Sequence, residues 1–168
     1  NRGSEESIEI GMPVVGAGGL VGRVVEAWDG GSKVVLVTQS NFGVSVRLQD
    51  QRIRGPAEVQ GRSGVLSLNL SSADLSDEQV ESIGVGDIVE TCGCDGSEYP
   101  PGIPVGTVES VERQQSGISV IVRIRPYLDR PSLEYVRVLA WEPGDAVPPE
   151  LEATTTTSPP KNVTASTT

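Results

Sequence analysis

Histidine is absent from this 168-residue chain, and that zero excludes more chemistry than any other feature. Ser–His–Asp and Cys–His nucleophile pairs cannot be built, nor can His-ligated zinc or haem sites. The two cysteines, Cys92 and Cys94, are too few for a disulfide framework or a four-thiolate metal site. Cations are scarce: 13 Lys+Arg stand against 23 Asp+Glu, a net charge of −10. Such a balance argues against a nucleic-acid partner and disfavours docking on anionic lipid through a basic patch. No apolar run approaches the ~18 residues of a membrane-spanning helix. The longest, Val14 to Gly22, has nine residues and four of them are glycine. No signal-peptide pattern opens the chain, and its first residue is Asn1 rather than Met, so a piece of a longer protein is expected.

What is present points to strands. There are 24 Val and 9 Ile beside 20 Gly, with one Met and one Phe; β-branched residues suit a pleated, half-buried surface. Val44, Val46 and Leu48 share one face of 43–49, and Ser45, Arg47 and Gln49 share the other. Leu66, Leu68 and Leu70 alternate with Val65, Ser67 and Asn69, and Val120, Val122 and Ile124 with Ile121, Arg123 and Arg125. Period-two alternation predicts strands with one face in a core and one in water. Further strands are expected at 12–15, 20–28, 33–38, 88–91, 104–112 and 135–140, divided by Gly-rich turns. The fold class is therefore all-β, of the sandwich or small-barrel kind.

One segment departs from this. Ser76-Asp77-Glu78-Gln79 has the form of a capping box and predicts a short helix over 77–83, stopped near Gly84. An internal repeat flanks it: Gly19-Leu20-Val21-Gly22-Arg23-Val24-Val25-Glu26 resembles Ile103-Pro104-Val105-Gly106-Thr107-Val108-Glu109-Ser110. After the following turn the match is ambiguous, since Val120–Ile124 fits either Val44–Leu48 or Val34–Thr38. We expect two small six-stranded-type β-barrels of related build: residues 8–75, a helical connector at 76–84, and residues 85–142. Residues 143–168, rich in Thr, Ser and Pro and lacking aromatics, are expected to be a disordered tail.

Candidate chemistry is thin. The glycines of 16–22 resemble a phosphate cradle but precede β-branched residues rather than a helix N-terminus, so turn formation and close strand approach explain them better. Gly19, Gly22, Gly86, Gly102 and Gly106 are read as structural turn glycines. Cys92 and Cys94, about 6.7 Å apart at Cα on an extended strand, lie near the upper limit for a disulfide. A disulfide and a pair of free thiols both remain open. Asp87, Glu90, Asp95 and Glu98 gather in sequence and read as a solvated acidic loop more readily than as a hydrolase pair. Arg47, Arg123, Arg125 and Arg137 read as outward strand positions, solvated, paired with Glu or at an interface rim.

The ordered series Gly11–Val15, Gly19–Val24, Val34–Thr38, Gly64–Leu66, Val85–Gly93, Pro101–Val108 and Leu133–Leu139 resembles the extracytoplasmic region of the rod shape-determining protein MreC family, over roughly residues 11–140. The resemblance implies barrels of chymotrypsin-like shape, without the histidine that triad chemistry needs. It implies a scaffold and not an enzyme: catalytic residues none, cofactors none, metal none and no small-molecule substrate. Self-association as a homodimer or filament is implied, with a class B penicillin-binding transpeptidase, MreD, MreB and RodA as partners. It also implies a place on the extracytoplasmic face of the cell membrane, held by an N-terminal membrane helix outside these 168 residues. Trp28, Phe42, Tyr99 and Tyr135 are the candidate interface anchors, since aromatic side chains commonly anchor interfaces. Two alternatives stand beside this: a cell-wall glycan-binding or hydrolytic β-module, and a lipoyl/hybrid-barrel adaptor. The adaptor's carrier form needs a modifiable lysine at a hairpin tip, and only Lys33 and Lys161 are present.

Overall fold

The structure, a computed structural model, describes residues 8–49, 53–71, 75–94, 97–114, 119–128 and 135–141. Among the described residues ten strands and one short helix follow one another: β1 Pro13–Gly16, β2 Gly19–Trp28, β3 Gly31–Leu36, β4 Gly43–Leu48, β5 Arg54–Val59, β6 Leu66–Ser71, α1 Asp77–Glu81, β7 Ile88–Thr91, β8 Pro104–Arg113, β9 Ser119–Pro126 and β10 Arg137–Val138. The alternating segments do what their pattern demands. Val44, Val46 and Leu48 of β4, Leu66, Leu68 and Leu70 of β6, and Val120, Val122 and Ile124 of β9 all lie in one core. Each such side chain removed from water contributes about 1.5–3 kcal/mol.

All strand pairings among the described residues are antiparallel. One closed barrel has the order β4-β5-β6-β9-β8-β7, and β10-β1-β2-β3 form a separate four-stranded sheet. Strand pairing thus cuts across the expected division into barrels at 8–75 and 85–142. Three strands of the barrel precede α1 and three follow it, while the sheet takes its fourth strand from the C-terminal side.

The internal repeat explains this arrangement. β1-β2-β3 and β7-β8-β9 are two copies of one meander, equivalent bond for bond. Gly11 N donates to Val24 O at 2.8 Å, and Gly86 N to Val108 O at 2.8 Å. Val37 N donates to Val21 O, and Tyr127 N to Val105 O. The long strand is bulged at the same place in both, between Val24 and Glu26 and between Val108 and Ser110. The repeat partner of β9 is therefore β3 and not β4, but four residues out of the expected register: Ile124, opposite Val108, is equivalent to Val34, opposite Val24, so Val120–Ile124 corresponds to residues 30–34. The strand after each meander then crosses over: β4, after β3, pairs with β7, and β10, after β9, pairs with β1. Leu48 lies opposite Val89 as Val138 lies opposite Val14. Each half supplies the fourth strand of the other.

Gly22 and Gly106 occupy equivalent places in the two meanders, and neither is in a turn. Both are mid-strand, where an added Cβ would fall 1.9 Å from Val35 O and 2.1 Å from Arg125 O respectively. Glycine is needed there because the neighbouring backbone approaches too closely for a side chain. Gly19, Gly86 and Gly102 have φ of 128°, 95° and 85°, the conformation that turn glycines supply.

The helix is as its capping box predicts. Ser76 Oγ accepts from Gln79 N at 3.2 Å and the Gln79 side chain accepts from Ser76 N at 3.0 Å. It ends earlier than expected, at Glu81. It leads from β6 to β7, both strands of the closed barrel, and buries Val80 with Ile83 in the core. The expected tail at 143–168 lies outside the described residues.

Candidate interaction surface

The candidate anchors divide into two pairs. Phe42 and Tyr99 are 1% and 2% exposed, with ring centroids 6.3 Å apart in a tilted arrangement, so they anchor the interior and not an interface. Sequence could not separate them from surface aromatics, because both sit in loops where no period reports a face. Trp28 and Tyr135 are exposed, 51% and 88%. Trp28 ends β2, its ring lying over Gly31 across the hairpin.

Tyr135 does not stand alone. Tyr135 and Val136 immediately precede β10, which pairs with β1 through Val14 with Val138 and Val15 with Arg137. Tyr127 meets the β1–β2 turn, its carbonyl 3.5 Å from where a Cβ on Gly18 would lie. Tyr127 and Val136 are themselves exposed. A second exposed apolar pair follows from the repeat: Ile10 precedes Gly11 as Val85 precedes Gly86, and each is mostly in water. The left-handed glycine that follows turns each side chain out of its meander. Sequence periodicity missed these residues, since they precede their strands rather than alternate within them.

The charged candidates are largely spent on internal pairs. Arg47 Nε donates to Glu90 Oε1 at 2.7 Å, and Arg123 Nε to Glu112 Oε1 at 2.9 Å. Arg125 pairs with Glu109, and Arg23 on β2 pairs with Glu98. The Arg123 hydrogen bond, aided by its charge, holds the Glu112 carboxyl below its ordinary range. Glu90 corrects the solvated-loop expectation: it is buried, 4% exposed, although it shares the outer face with Arg47, which the β4–β7 pairing sets directly opposite it. Asp87 caps the turn before β7, its carboxylate accepting from Gly84 N. Asp95 lies outside the described residues. Among the described residues no group of three His, Cys, Asp or Glu is placed to hold a metal, and no helix is long and apolar enough to cross a membrane. Lys33 lies on β3 bonded to Glu26 at 2.7 Å, not at a hairpin tip. An open groove of about 410 Å³ beside β3 is lined by Leu36, Thr38, Gln39, Ser40 and Arg62.

Cys92 and Cys94 meet as a disulfide with Cα atoms 5.1 Å apart, closer than an extended strand allows. β7 ends at Thr91 and Gly93 turns left-handed, φ 58°, which curls the second cysteine back toward the first.

The buried Tyr99 hydroxyl has no hydrogen-bond partner among the described residues. Burial pushes its phenol well above the ordinary value of 10.0, with Arg23 opposing and Glu98 adding to the shift. A raised folded-state value favours the protonated form, so this contribution is complete below about pH 10 and is lost as pH climbs above it. Tyr99→Phe is therefore expected to leave neutral-pH stability unchanged or slightly higher. It should also flatten the loss of stability in alkaline buffer, read as urea midpoints against pH.

The frame that carries these groups is shared with known proteins. The family model of the rod shape-determining protein MreC barrel core matches residues 1–140. The chain belongs to the MreC family. It is 34% identical over 142 residues to the cell shape-determining protein MreC of Caulobacter vibrioides, covering 84% of this chain and 37% of that protein. The crystal structure of MreC from Pseudomonas aeruginosa superposes with a TM-score of 0.65 at 30% identity, over 75% of this chain and 77% of that one. A fold likeness at 21% identity, TM-score 0.56, over 75% of this chain and 74% of that one, is to a solved complex between the penicillin-binding protein PBP2 and MreC from Helicobacter pylori. This MreC-family chain spans less than half the length of the curated relatives it matches, from 36% to 46% of them.

Proposed function

We propose that this chain is the extracytoplasmic part of a non-enzymatic scaffold for cell elongation, organising peptidoglycan synthesis and rod shape. It acts by associating with itself and by binding wall-synthesis proteins, a class B penicillin-binding transpeptidase among them. Membership of the MreC family carries this reading, and the Helicobacter pylori MreC–PBP2 complex supports the transpeptidase as partner. The surface suits the task. Exposed Trp28 ends β2, and Ile10, Val85, Tyr135 and Val136 lie shortly before strands of a hydrogen-bonded β frame, which limits the backbone ordering that binding must supply. MreD, MreB and RodA would be reached through the membrane complex, with a preceding membrane helix as anchor.

The test is capture of a transpeptidase ectodomain by this chain, with sedimentation over a concentration series for self-association. Replacing Tyr135 by Ser together with Val136 by Ser is expected to weaken one of these associations at least tenfold, the scale of losing one anchor. Thermal stability should shift little, because both side chains are exposed. Muropeptide release from purified sacculi, or failure to associate in either assay, would overturn the proposal.

A further inference from the structure

The Cys92–Cys94 bridge follows the end of β7 and lies beside β4 of the barrel. β7 and β8 are connected through a loop whose arms are pinned at Thr91. Thr91 Oγ1 donates to Pro100 O at 2.5 Å and accepts from Ile103 N at 2.9 Å, while Gly102 N donates to Thr91 O at 3.0 Å. Within that loop Ser97 N donates to Cys94 O at 2.8 Å, and Ser97 Oγ donates to Tyr99 O. Glu98 reaches out of the barrel to Arg23 on β2, and Tyr99 plugs the core against Phe42. On the near side Cys92 N donates to Ser45 O, fixing that cysteine to β4. A Cβ on Gly93 would fall 2.5 Å from the Pro101 ring, so the curled Cys-Gly-Cys unit is wedged against the opposite arm. The disulfide thus closes the curl whose Cys94 carbonyl holds Ser97, the residue before Glu98 and a hydrogen-bond partner of Tyr99.

We propose that Cys92–Cys94 is a redox-addressable tie, a substrate for thiol–disulfide exchange with an external dithiol, whose state sets how firmly the loop couples the barrel to the four-stranded sheet. The inference is independent of which partners the scaffold binds. Cys92 is 7% exposed, whereas Cys94 is half-buried beside the exposed Gly93, so Cys94 Sγ is the sulfur that an incoming thiolate reaches. Attack there forms a mixed disulfide on Cys94, and Cys92 Sγ leaves as a thiolate and takes up a proton. The second thiol of the dithiol then attacks its own sulfur in the mixed disulfide, and Cys94 leaves and is protonated. Two electrons pass from the dithiol, which ends as a disulfide, to the protein, which ends with two thiols. With the bond gone nothing covalent holds the left-handed turn at Gly93. The Ser97–Cys94 bond then loses its covalent support, and the adjoining Glu98 and Tyr99 are held by their own contacts and the Thr91 pins alone.

The test compares the full 168-residue chain in air-oxidised buffer and in dithiothreitol, by thiol alkylation with intact mass and by amide hydrogen exchange. The oxidised chain should resist alkylation, and the reduced chain should take label on both cysteines. On reduction, exchange at Ser97, Tyr99 and Gly102 should speed up at least about tenfold, while Leu68 and Val122 in the barrel keep their protection. Reoxidation should restore the first pattern. Cys92→Ser with Cys94→Ser should show the reduced pattern in both buffers; if that variant fails to fold, the comparison of redox states in the unaltered chain decides alone. Label on both cysteines of the air-oxidised chain would overturn the proposal. So would equal exchange in the two states. Exchange that rises as much at Leu68 and Val122 as at Tyr99 would also sink it, making the bridge a general staple.

Discussion

Gly106→Val is expected to cost the chain at least about 3 kcal/mol, at the upper end of what single substitutions do. An added Cβ would sit 2.1 Å from Arg125 O and 2.8 Å from its carbonyl carbon. Those are backbone atoms of the paired strand β9, so no side-chain rotation relieves the collision. The strands must part at the Gly106–Pro126 pair, next to the bulge that follows Val108. Because the barrel is closed, that displacement is passed to β6 and β7, the outer neighbours of β9 and β8. The equivalent change in the other meander, Gly22→Val, meets Val35 O at 1.9 Å but lies in an open sheet that can splay. Its cost is expected to be smaller and confined to β1–β3, as local hydrogen exchange should show. Denaturant midpoints check both. A Gly106→Val chain as stable as the parent would mean that the close approach of β8 and β9 is not real.

Arg47→Ala is the second large effect, expected at about 2–3 kcal/mol. The range for stranding a buried charge is about 3–5 kcal/mol, reduced because the Arg47 side chain is 39% exposed and water can enter where it was. Glu90 is the reason for the cost, since its side chain is only 5% exposed and accepts from Arg47 Nε at 2.7 Å. The pair lies directly across the β4–β7 seam, which has three partner pairs in all and joins the two sequence halves of the barrel. Pairing Arg47→Met with Glu90→Leu should recover most of the loss, since neither partner is then left charged and alone. Urea unfolding of the two single variants and the double variant measures the coupling. A single Arg47→Ala within about 0.5 kcal/mol of the parent would show that Glu90 is solvated after all.

Local signals were legible in proportion to how local their physics is. The capping box of Ser76 and Gln79 involves residues in contact along the chain, so the helix start could be read directly. Alternation told which way Val46, Leu68 and Val122 face, because a strand's two faces follow from its own backbone. β5 was missed because Gly55-Pro56 reads as a breaker. A Cβ on Gly55 would lie 2.9 Å from Leu68 Cδ1, the end of a side chain on a strand thirteen residues away in sequence. The burial of Glu90, Phe42 and Tyr99 was illegible for the same reason: each is decided by what lies across a sheet or inside the barrel. The exposed groups at Ile10, Val85 and Tyr135 carry no periodic signature, although the repeat of Ile-Gly and Val-Gly before each meander could have marked the first two.

By itself the amino-acid order determined an all-β chain, the inner face of its alternating strands, one short capped helix and a doubled meander. It also determined, through the missing histidine, which catalytic chemistries are out of reach. Only the tertiary structure decided which strands pair, that β4 and β10 change places between the two halves, and which carboxylate is buried. The reason is that strand pairing is satisfied between distant segments. A strand's own residues specify its faces, while its neighbours depend on every other strand that competes for the same edge.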